Sequence, residues 1–248
     1  MKSGFVDLSS INIVDGFASG GFPANCGGGV FVHAGASITL SKITVANNRA
    51  TFGGGICTDG ALFVHDSTIS GNSALSLGGG VLIGSGEVAL SNVTVADNDA
   101  LSSGGGLYVE FGTMLAINNT IIAANITLGE GPDIHNMFSV PISTVGGNLI
   151  SDLGLSGLSP SATVLVDSPL LGVLADNGGP TLTMLPQSGS PAIDATTPVD
   201  LSVFVSDQRG LPRIVNGMLD IGAVEVQPTI SDEENYGQWL RDHFSQTD

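Results

Sequence analysis

Short segments that alternate apolar and polar residues recur through the first half of the chain. In one unit they occupy residues 81–83, 88–90 and 93–95, separated by bends of glycine, serine and asparagine. Alternation with a period of two over a few residues predicts β-strands that bury one face. Because such segments are too short for helices, the pattern predicts an all-β chain.

The unit repeats about every 25 residues, and a glycine triplet opens each copy. The triplets begin at Gly27, Gly53, Gly78 and Gly104, at spacings of 26, 25 and 26 residues, and the period ends after Gly106. Repeats of this length stack into a solenoid that buries one apolar column. We therefore predict a single-stranded, right-handed parallel β-helix with three strands in each rung, a rung being one turn of the coil. The triplets should stack in one file along one edge.

An asparagine closes each unit, at the bend after the third segment. These residues are Asn48, Asn72, Asn98 and Asn125. Asparagine tolerates left-handed backbone and can hydrogen-bond to like residues in the rungs above and below, so we assign the four a structural role. The glycine triplets are also structural, because no lysine and no helix start follows them as a phosphate-binding loop requires.

Three regions follow from this pattern. Residues 1–139 hold the regular rungs, and residues 140–227 fit irregular rungs and a cap, since a solenoid end would otherwise expose its core. Residues 228–248 form an acidic tail that we expect to contain a short C-terminal amphipathic helix. Four apolar residues of the tail have helical spacing: Tyr236, Trp239, Leu240 and Phe244.

Charge and cysteine content restrict the partners. The chain has 6 lysine and arginine residues against 23 aspartate and glutamate residues, for a net charge of −17. So few cations argue against nucleic acid and against anionic membranes, and no apolar run is long enough for membrane insertion. We expect a monomer without a signal peptide in this sequence. Cys26 and Cys57 occupy different offsets in the repeat, which predicts that they are out of register and form no disulfide.

The second half carries a series of short motifs that resembles a known family. The motifs occupy residues 146–150, 167–172, 174–181, 189–194, 207–210 and 220–225. Their order resembles the choice-of-anchor Q domain of bacterial surface proteins, and the repeats resemble the pectate-lyase-like β-helix that usually precedes it. The resemblance implies an exported, surface-attached protein, extracellular or at the cell surface, although neither export signal nor anchor is visible here. It implies no particular activity.

The same region holds two of the six basic residues. Arg209 and Arg213 are close in sequence to several aspartates, among them Asp220. We expect these three residues to form structural ion pairs or carbonyl contacts. An anion-binding site at the two arginines is the alternative.

The candidate catalytic groups are few. A lyase acting on acidic polysaccharide needs basic residues, and the repeats offer only Lys42 and Arg49. A glycosidase needs a carboxyl pair at a defined separation, and the sequence pattern identifies none. We therefore lean against an enzyme, with a polysaccharide lyase or glycosidase as the alternative. We expect no cofactor, although Asp97 and Asp99 around one bend are a candidate calcium site.

Two outward-facing files remain. Phe31, Cys57, Leu82 and Tyr108 occupy the middle of the first strand of successive units and should form an outer stripe. Its aromatic residues, Phe31 and Tyr108, are candidates to hold a sugar chain, unless a loop or the C-terminal region buries them. Thr44, Thr68 and Thr94 form the second file, which we interpret as ordinary strand surface.

The leading functional hypothesis is a non-catalytic, cell-surface or secreted β-helix module for adhesion or polysaccharide binding. Its partner would be a polysaccharide or cell-surface glycan. A polysaccharide-active enzyme and a structural spacer are the alternatives.

Overall fold

A computed structural model describes residues 4–161, 165–197 and 206–228, and within these ranges it contains strands and no helix. The predicted C-terminal helix, residues 236–244, lies outside the described residues. The strands are β1 Phe5–Ser9, β2 Asn12–Val14, β3 Val30–Val32, β4 Ser37–Ser41, β5 Thr44–Ala46, β6 Arg49–Phe52, β7 Ile56–Thr58, β8 Ala61–Ser70, β9 Ser73–Leu77, β10 Val81–Ile83, β11 Gly86–Ala96, β12 Asp99–Ala100, β13 Leu107–Val109, β14 Thr113–Asn118, β15 Ile121–Ala123, β16 Ile126–Thr127, β17 Ile134–Asn136, β18 Ile142–Val145 and β19 Leu149–Ile150.

The strands stack in parallel as a β-solenoid of about five turns, which confirms the predicted fold class. One large sheet has two halves that meet at a corner. The first half runs β1-β4-β8-β11-β14-β18, and the second half runs β2-β5-β8-β11-β15-β19, with β8 and β11 continuing through both. A second sheet contains β3, β7, β10, β13 and β17, and a third contains β6, β9, β12 and β16.

The third sheet is an addition to the predicted rung. The three predicted segments form the second sheet and the two halves of the large sheet, whereas the third sheet follows the asparagine of each unit. Its inward-facing residues are Ala50, Ala74 and Ala100, all at most 2% exposed. Alanine is too weak an apolar signal to reveal a strand by alternation, so the sequence pattern missed this sheet.

The core is a column of aliphatic side chains that run in register from rung to rung. Leu40, Val64, Leu90 and Ile117 occupy equivalent positions on adjacent strands, and all are at most 2% exposed. Burying a side chain of this size contributes about 1.5–3 kcal/mol. Each rung adds one such layer, which makes the column the main source of stability in the solenoid.

The glycine triplets stack in one file, as predicted. The Gly54, Gly79 and Gly80 amides donate to carbonyls of the triplet in the next rung, at 2.9 Å each. The first glycine of each triplet has a φ of 61–68°, in the left-handed region that favours glycine. The file does not end at Gly106, because Gly131-Pro132-Asp133 continues it: the Gly106 amide donates to the Pro132 carbonyl at 2.8 Å.

The four unit-closing asparagines form a buried hydrogen-bond ladder. Each of Asn48, Asn72 and Asn98 donates both its backbone N–H and its Nδ2 to the Oδ1 of the next asparagine, at 2.9–3.0 Å. All four are at most 5% exposed. The left-handed backbone belongs to the residue before each asparagine rather than to the asparagine itself, as at Asn47 and Asp97 with φ of 56° and 59°.

The C-terminal region, residues 165–197 and 206–228, lies mainly along the flank of the solenoid. Ala192 and Ile221 pack against Ile121 and Leu149 on the outer side of the second half of the large sheet. The far end of the core is covered instead by the preceding segment, where Leu153 and Leu158 pack against the apolar column. The stacked strands therefore continue through β19, and the last part of the chain supports one side.

Substitution of a third triplet glycine should destabilise the solenoid. A Cβ at Gly80 would lie 2.7 Å from the Gly106 carbonyl oxygen and 3.1 Å from Asn98 Nδ2. We expect Gly80→Ala to lower the free energy of unfolding by about 1–3 kcal/mol, as overpacking of a close contact does. Urea unfolding followed by circular dichroism measures this.

Gly21→Ala is the matched control, because a Cβ there meets nothing within 4 Å. It should change stability by no more than about 0.5 kcal/mol. Equal losses for the two variants would contradict the assigned role of the triplet.

Candidate functional site

The outer stripe lies on the second sheet, and most of it is buried. Phe31, Cys57, Leu82 and Tyr108 pair in register across four strands. Neighbouring apolar side chains close over it, so that Cys57, Leu82 and Tyr108 are only 2–7% exposed while Phe31 is partly exposed. The two aromatic residues predicted to bind sugar therefore lie at opposite ends of the stripe, in different environments.

Tyr108 has little open surface for a ligand. Its ring stacks on His135 at a centroid distance of 5.0 Å and an angle of 17°, and its hydroxyl donates to Met137 Sδ at 2.7 Å. Burial raises the pKa of the phenol, and the nearby Glu110 adds to this shift. Phe31 contacts His33 at a ring distance of 4.3 Å and keeps part of its ring accessible. A stacking site on this stripe would have to use Phe31.

Cys26 and Cys57 belong to the same apolar cluster and contact each other. Both are free thiols, 5% and 2% exposed, and each perturbs the pKa of the other. As predicted, the two cysteines are out of register, since Cys26 pairs with Phe52 and Cys57 pairs with Phe31. Their closeness was not predicted, because the register argument left out the glycine corner. Since the chain turns back at Gly27-Gly28-Gly29, the residue before a triplet and the residue two positions after one point to the same side.

A file that contains two carboxylates runs beside the stripe, at the ends of strands of the second sheet. Hydrogen bonds from each residue to the preceding rung place Asp59, Gly84 and Glu110 in successive rungs. Two rungs separate the carboxylates, which corresponds to about 9.6 Å between backbones. Burial, and secondarily Asp59, raises the pKa of Glu110. Sequence analysis missed this pair. It could have been found by comparing the residues that directly follow the apolar trio of each unit, where both carboxylates occur.

The outward side of the first half of the large sheet is uncovered by the C-terminal region; we call it the open face. Phe63 lies at its centre, partly buried between Thr39 and Ala89 on the neighbouring strands. In the next row His65 lies between Ser41 and Ser91, with 42% of its side chain exposed. The open face thus combines the central ring of Phe63 with small and hydroxyl-bearing side chains, and a second ring, the exposed Phe5, lies at its edge on β1.

The threonine file on the second half of the large sheet is buried, in contrast to the expected strand surface. Thr44, Thr68 and Thr94 are at most 1% exposed because the C-terminal region covers them. Thr44 Oγ1 donates to the Leu182 carbonyl and Thr68 Oγ1 to Gln208 Oε1, each at 2.6 Å, while Thr94 Oγ1 accepts from the Ala223 amide at 3.1 Å. The file is therefore part of the buried interface between the solenoid and the C-terminal region, which we call the seam.

The two arginines anchor the C-terminal region. Arg213 is fully buried and donates to the Gly222 carbonyl at 2.7 Å and to Asp66 Oδ1 of the solenoid at 2.9 Å. Arg209 contacts Asp207 through two nitrogens, at 2.7 and 2.9 Å. Since both guanidinium groups bind carbonyls or carboxylates of the same chain, their contacts here are with the protein itself.

A pair of buried carboxylates lies behind Arg213. Asp220 accepts from the Asp194 and Val226 amides at 2.7 and 2.6 Å, and Glu225 Oε2 accepts from the Asp220 amide at 2.9 Å. Burial raises the pKa of Glu225 to about 8, and the charge of Asp220 adds to the shift while Arg213 opposes it. Burial also raises the pKa of Asp220. In the folded protein the Glu225 carboxyl is therefore mainly protonated below neutral pH.

Asp97 and Asp99 flank the ladder residue Asn98, which points inward. Asp97 is exposed with a φ of 59°, and Asp99 begins β12 and is partly buried. Among the described residues no group of three histidine, cysteine, aspartate or glutamate side chains is arranged to hold a metal ion. Calcium binding at the two aspartates stays a prediction.

Comparisons with protein-family models, with curated proteins and with solved structures found no match to this chain. In the part of the chain that the structure describes, no helix is long and apolar enough to cross a membrane.

Glu225 should make stability depend on pH. Between its unfolded pKa, near 4.5, and its folded pKa of about 8, the folded protein holds the proton that the unfolded chain releases. Stability should therefore fall as pH rises through this window, by up to about 1.4 kcal/mol per pH unit. We expect Glu225→Gln to flatten this slope in urea unfolding at pH 5 to 8.

The exposed Glu87 provides the control, because Glu87→Gln should leave the slope as in the wild type. A slope unchanged by Glu225→Gln would show that another group takes up the proton.

Proposed function

We propose that this chain is a non-catalytic, cell-surface or secreted β-helix module that binds a neutral polysaccharide on the open face. The observation that supports this most is the unequal covering of the large sheet. The C-terminal region buries the second half, whereas the first half stays uncovered over successive parallel strands. A flat, regular strip of this kind suits an extended repeating ligand better than a compact one.

The side chains of the open face suit a sugar chain. Phe63 offers an aromatic ring for the apolar face of a sugar, a contact worth about 0.5–1.5 kcal/mol beyond its buried area. Thr39, Ser41 and Ser91 surround it with hydroxyl groups that both donate and accept hydrogen bonds. His65 adds a partly exposed polar ring in the neighbouring row. The face would bind through stacking and hydrogen bonds without charge pairing.

The negative charge of the chain favours a neutral glycan over an acidic one. The chain has a net charge of −17, and three of the four basic side chains among the described residues are hydrogen-bonded within the protein. Lys42 Nζ, for example, donates to Ser206 Oγ at 2.7 Å. Arg49 is exposed on the third sheet, away from the open face. A polyuronate would therefore be repelled, while a neutral glycan would not.

The resemblance to choice-of-anchor Q domains supports a surface location. The motifs at residues 207–210 and 220–225 carry Asp207, Arg209, Asp220 and Glu225, which hold the C-terminal region together. Attachment at the cell surface would present the open face to extracellular or cell-wall glycans. This location remains part of the proposal.

A second candidate function rests on Asp59 and Glu110. Inverting glycosidases hold two carboxyl groups about 6.5–9.5 Å apart and use the one with the raised pKa as general acid. The two backbones are about 9.6 Å apart over two rungs, and the Asp59 carboxylate leans over Gly84 in the rung between them, which brings it nearer to Glu110. The raised pKa of Glu110 suits a general acid. In this reading Glu110 would protonate the leaving group and Asp59 would activate water.

Loss of the central aromatic ring should weaken glycan binding. We expect Phe63→Ala to reduce the affinity for a neutral polysaccharide by about threefold to tenfold, because the stacking contact is lost. A glycan array of neutral and acidic polysaccharides identifies the ligand, and calorimetry measures its affinity.

Phe111→Ala, which removes a 75% exposed ring elsewhere, is the matched control and should bind as the wild type does. Reduced binding by Phe31→Ala alone would move the site to the outer stripe. Binding of no neutral glycan would overturn the proposal.

The hydrolase alternative has its own test. If Asp59 and Glu110 form a catalytic pair, the wild type should release reducing ends from a glycan, and Glu110→Gln should lower the rate by at least about 100-fold, as loss of a general acid does. Absence of turnover across the array would exclude this candidate and leave the binding module.

A further inference from the structure

The two cysteines form a pair that no catalytic or binding role uses. They are the only cysteines in the chain, and 31 positions of sequence separate them. Cys26 pairs in parallel with Phe52 of the next rung, and Cys57 pairs with Phe31 of the preceding rung. The two are therefore diagonal neighbours across one step of the solenoid, both on its outer side.

The two thiols belong to one buried cluster and are close enough that each perturbs the pKa of the other. Cys26 Sγ lies 3.7 Å from Asn25 Oδ1. Phe31, Phe52 and Leu77 pack around them in the same cluster. Adjacent rungs lie about 4.8 Å apart, and a disulfide spans Cα separations of about 4.4–6.8 Å, so two thiols of one cluster on adjacent rungs are candidates for a bridge.

We propose that Cys26 and Cys57 form an intramolecular disulfide that links the first two rungs when the protein folds in the presence of a low-molecular-weight disulfide such as oxidised glutathione. The Cys26 thiolate attacks one sulfur of glutathione disulfide and expels one glutathione thiolate. The Cys57 thiolate then attacks the Cys26 sulfur and expels the second. The net reaction converts one protein dithiol and one glutathione disulfide into one protein disulfide and two glutathione thiols, with two protons passing to the products.

Burial decides when this reaction takes place. Burial raises the pKa of both thiols, most strongly that of Cys57, and keeps them protonated in the folded protein. The thiolate is the attacking species, so the folded, reduced protein should oxidise slowly. During folding the thiols are still accessible, and the stacking of the first two rungs brings them together. The proposed disulfide is thus a product of folding under oxidising conditions.

The disulfide would link the first rung of the solenoid covalently to the second. Residues 15–29 form the outer part of the first rung, and this part contains the exposed side chains Phe17 and Phe22. Its strand pairing with the next rung is limited to isolated bridges at Phe17 and Cys26, supported by single backbone hydrogen bonds such as that from the Ala18 amide to the Arg49 carbonyl at 2.9 Å, where later rungs have the strands of the third sheet. A disulfide at Cys26 would supply a covalent link where the strand pairing is weakest.

The experiment refolds the reduced, denatured full chain with oxidised glutathione and measures free thiols, intact mass and thermal stability. We expect a monomer with no free thiol, a mass about 2 Da below the reduced protein, and a melting temperature about 5–15 °C higher than after reduction. Cys26→Ser and Cys57→Ser should show neither the 2 Da loss nor the redox-dependent melting temperature.

A positional control tests whether the disulfide depends on the one-rung spacing of the two thiols. In the double variant Cys57→Ser, Leu82→Cys, the new thiol is two rungs from Cys26, or about 9.6 Å along the solenoid, which is too far for a disulfide. It should stay reduced under the same conditions. Free thiols or stable glutathione adducts in the refolded wild-type monomer, or equal bridging in the positional control, would overturn the proposal.

Discussion

The asparagine ladder is the interaction on which the geometry of the rungs depends. Inside the solenoid an amide group without partners would cost about 1–3 kcal/mol, so each one must meet an acceptor and a donor. Asn72 does so by donating to Asn98 Oδ1 and to the Val45 carbonyl while its own Oδ1 accepts from Asn48. These bonds form only if every rung places its asparagine at the same height and angle. The third glycine of the triplet is part of the same constraint, because a Cβ at Gly55 would lie 3.0 Å from Asn72 Nδ2.

The ladder also determines how the repeat ends. After Asn125 the equivalent position in the next rung is Leu153, which has no amide to continue the series. Asp133, at the third-glycine position, supplies the missing acceptor: its Oδ1 accepts from Asn125 Nδ2 at 2.9 Å, and its Oδ2 accepts from the Asp152 amide at 2.7 Å. The exchange of glycine for aspartate thus closes the ladder, while Leu153 turns inward to cover the core.

The parts of the structure that could be predicted are those whose residues recur at the constant interval of the sequence repeat. The triplets and asparagines recur at a constant interval, so their stacking follows from alignment alone. The seam could not be predicted, because the contact of Thr68 with Gln208 joins positions 140 residues apart and no periodic signal marks it. Asp59 and Glu110 look scattered in the sequence, and only the register of the second sheet brings them into one file. Long-range contacts and small inward residues such as Ala74 were the sources of error.

The corner between the two halves of the large sheet connects the anchored side to the open face. Asp66 occupies this corner with a φ of 47°, and its carboxylate accepts from Arg213 Nη2 at 2.9 Å and from Asn92 Nδ2 at 3.1 Å. Burial raises the pKa of Asp66, but its contacts with His65 and Arg213 outweigh burial and hold the pKa below its usual value. The ionised carboxylate then lies 3.4 Å from His65 Nδ1 on the open face. Asp66 thus contacts Arg213 on the covered half and His65 on the open face, so that one side chain in β8 connects the anchored side of the large sheet to the face that we propose binds ligand.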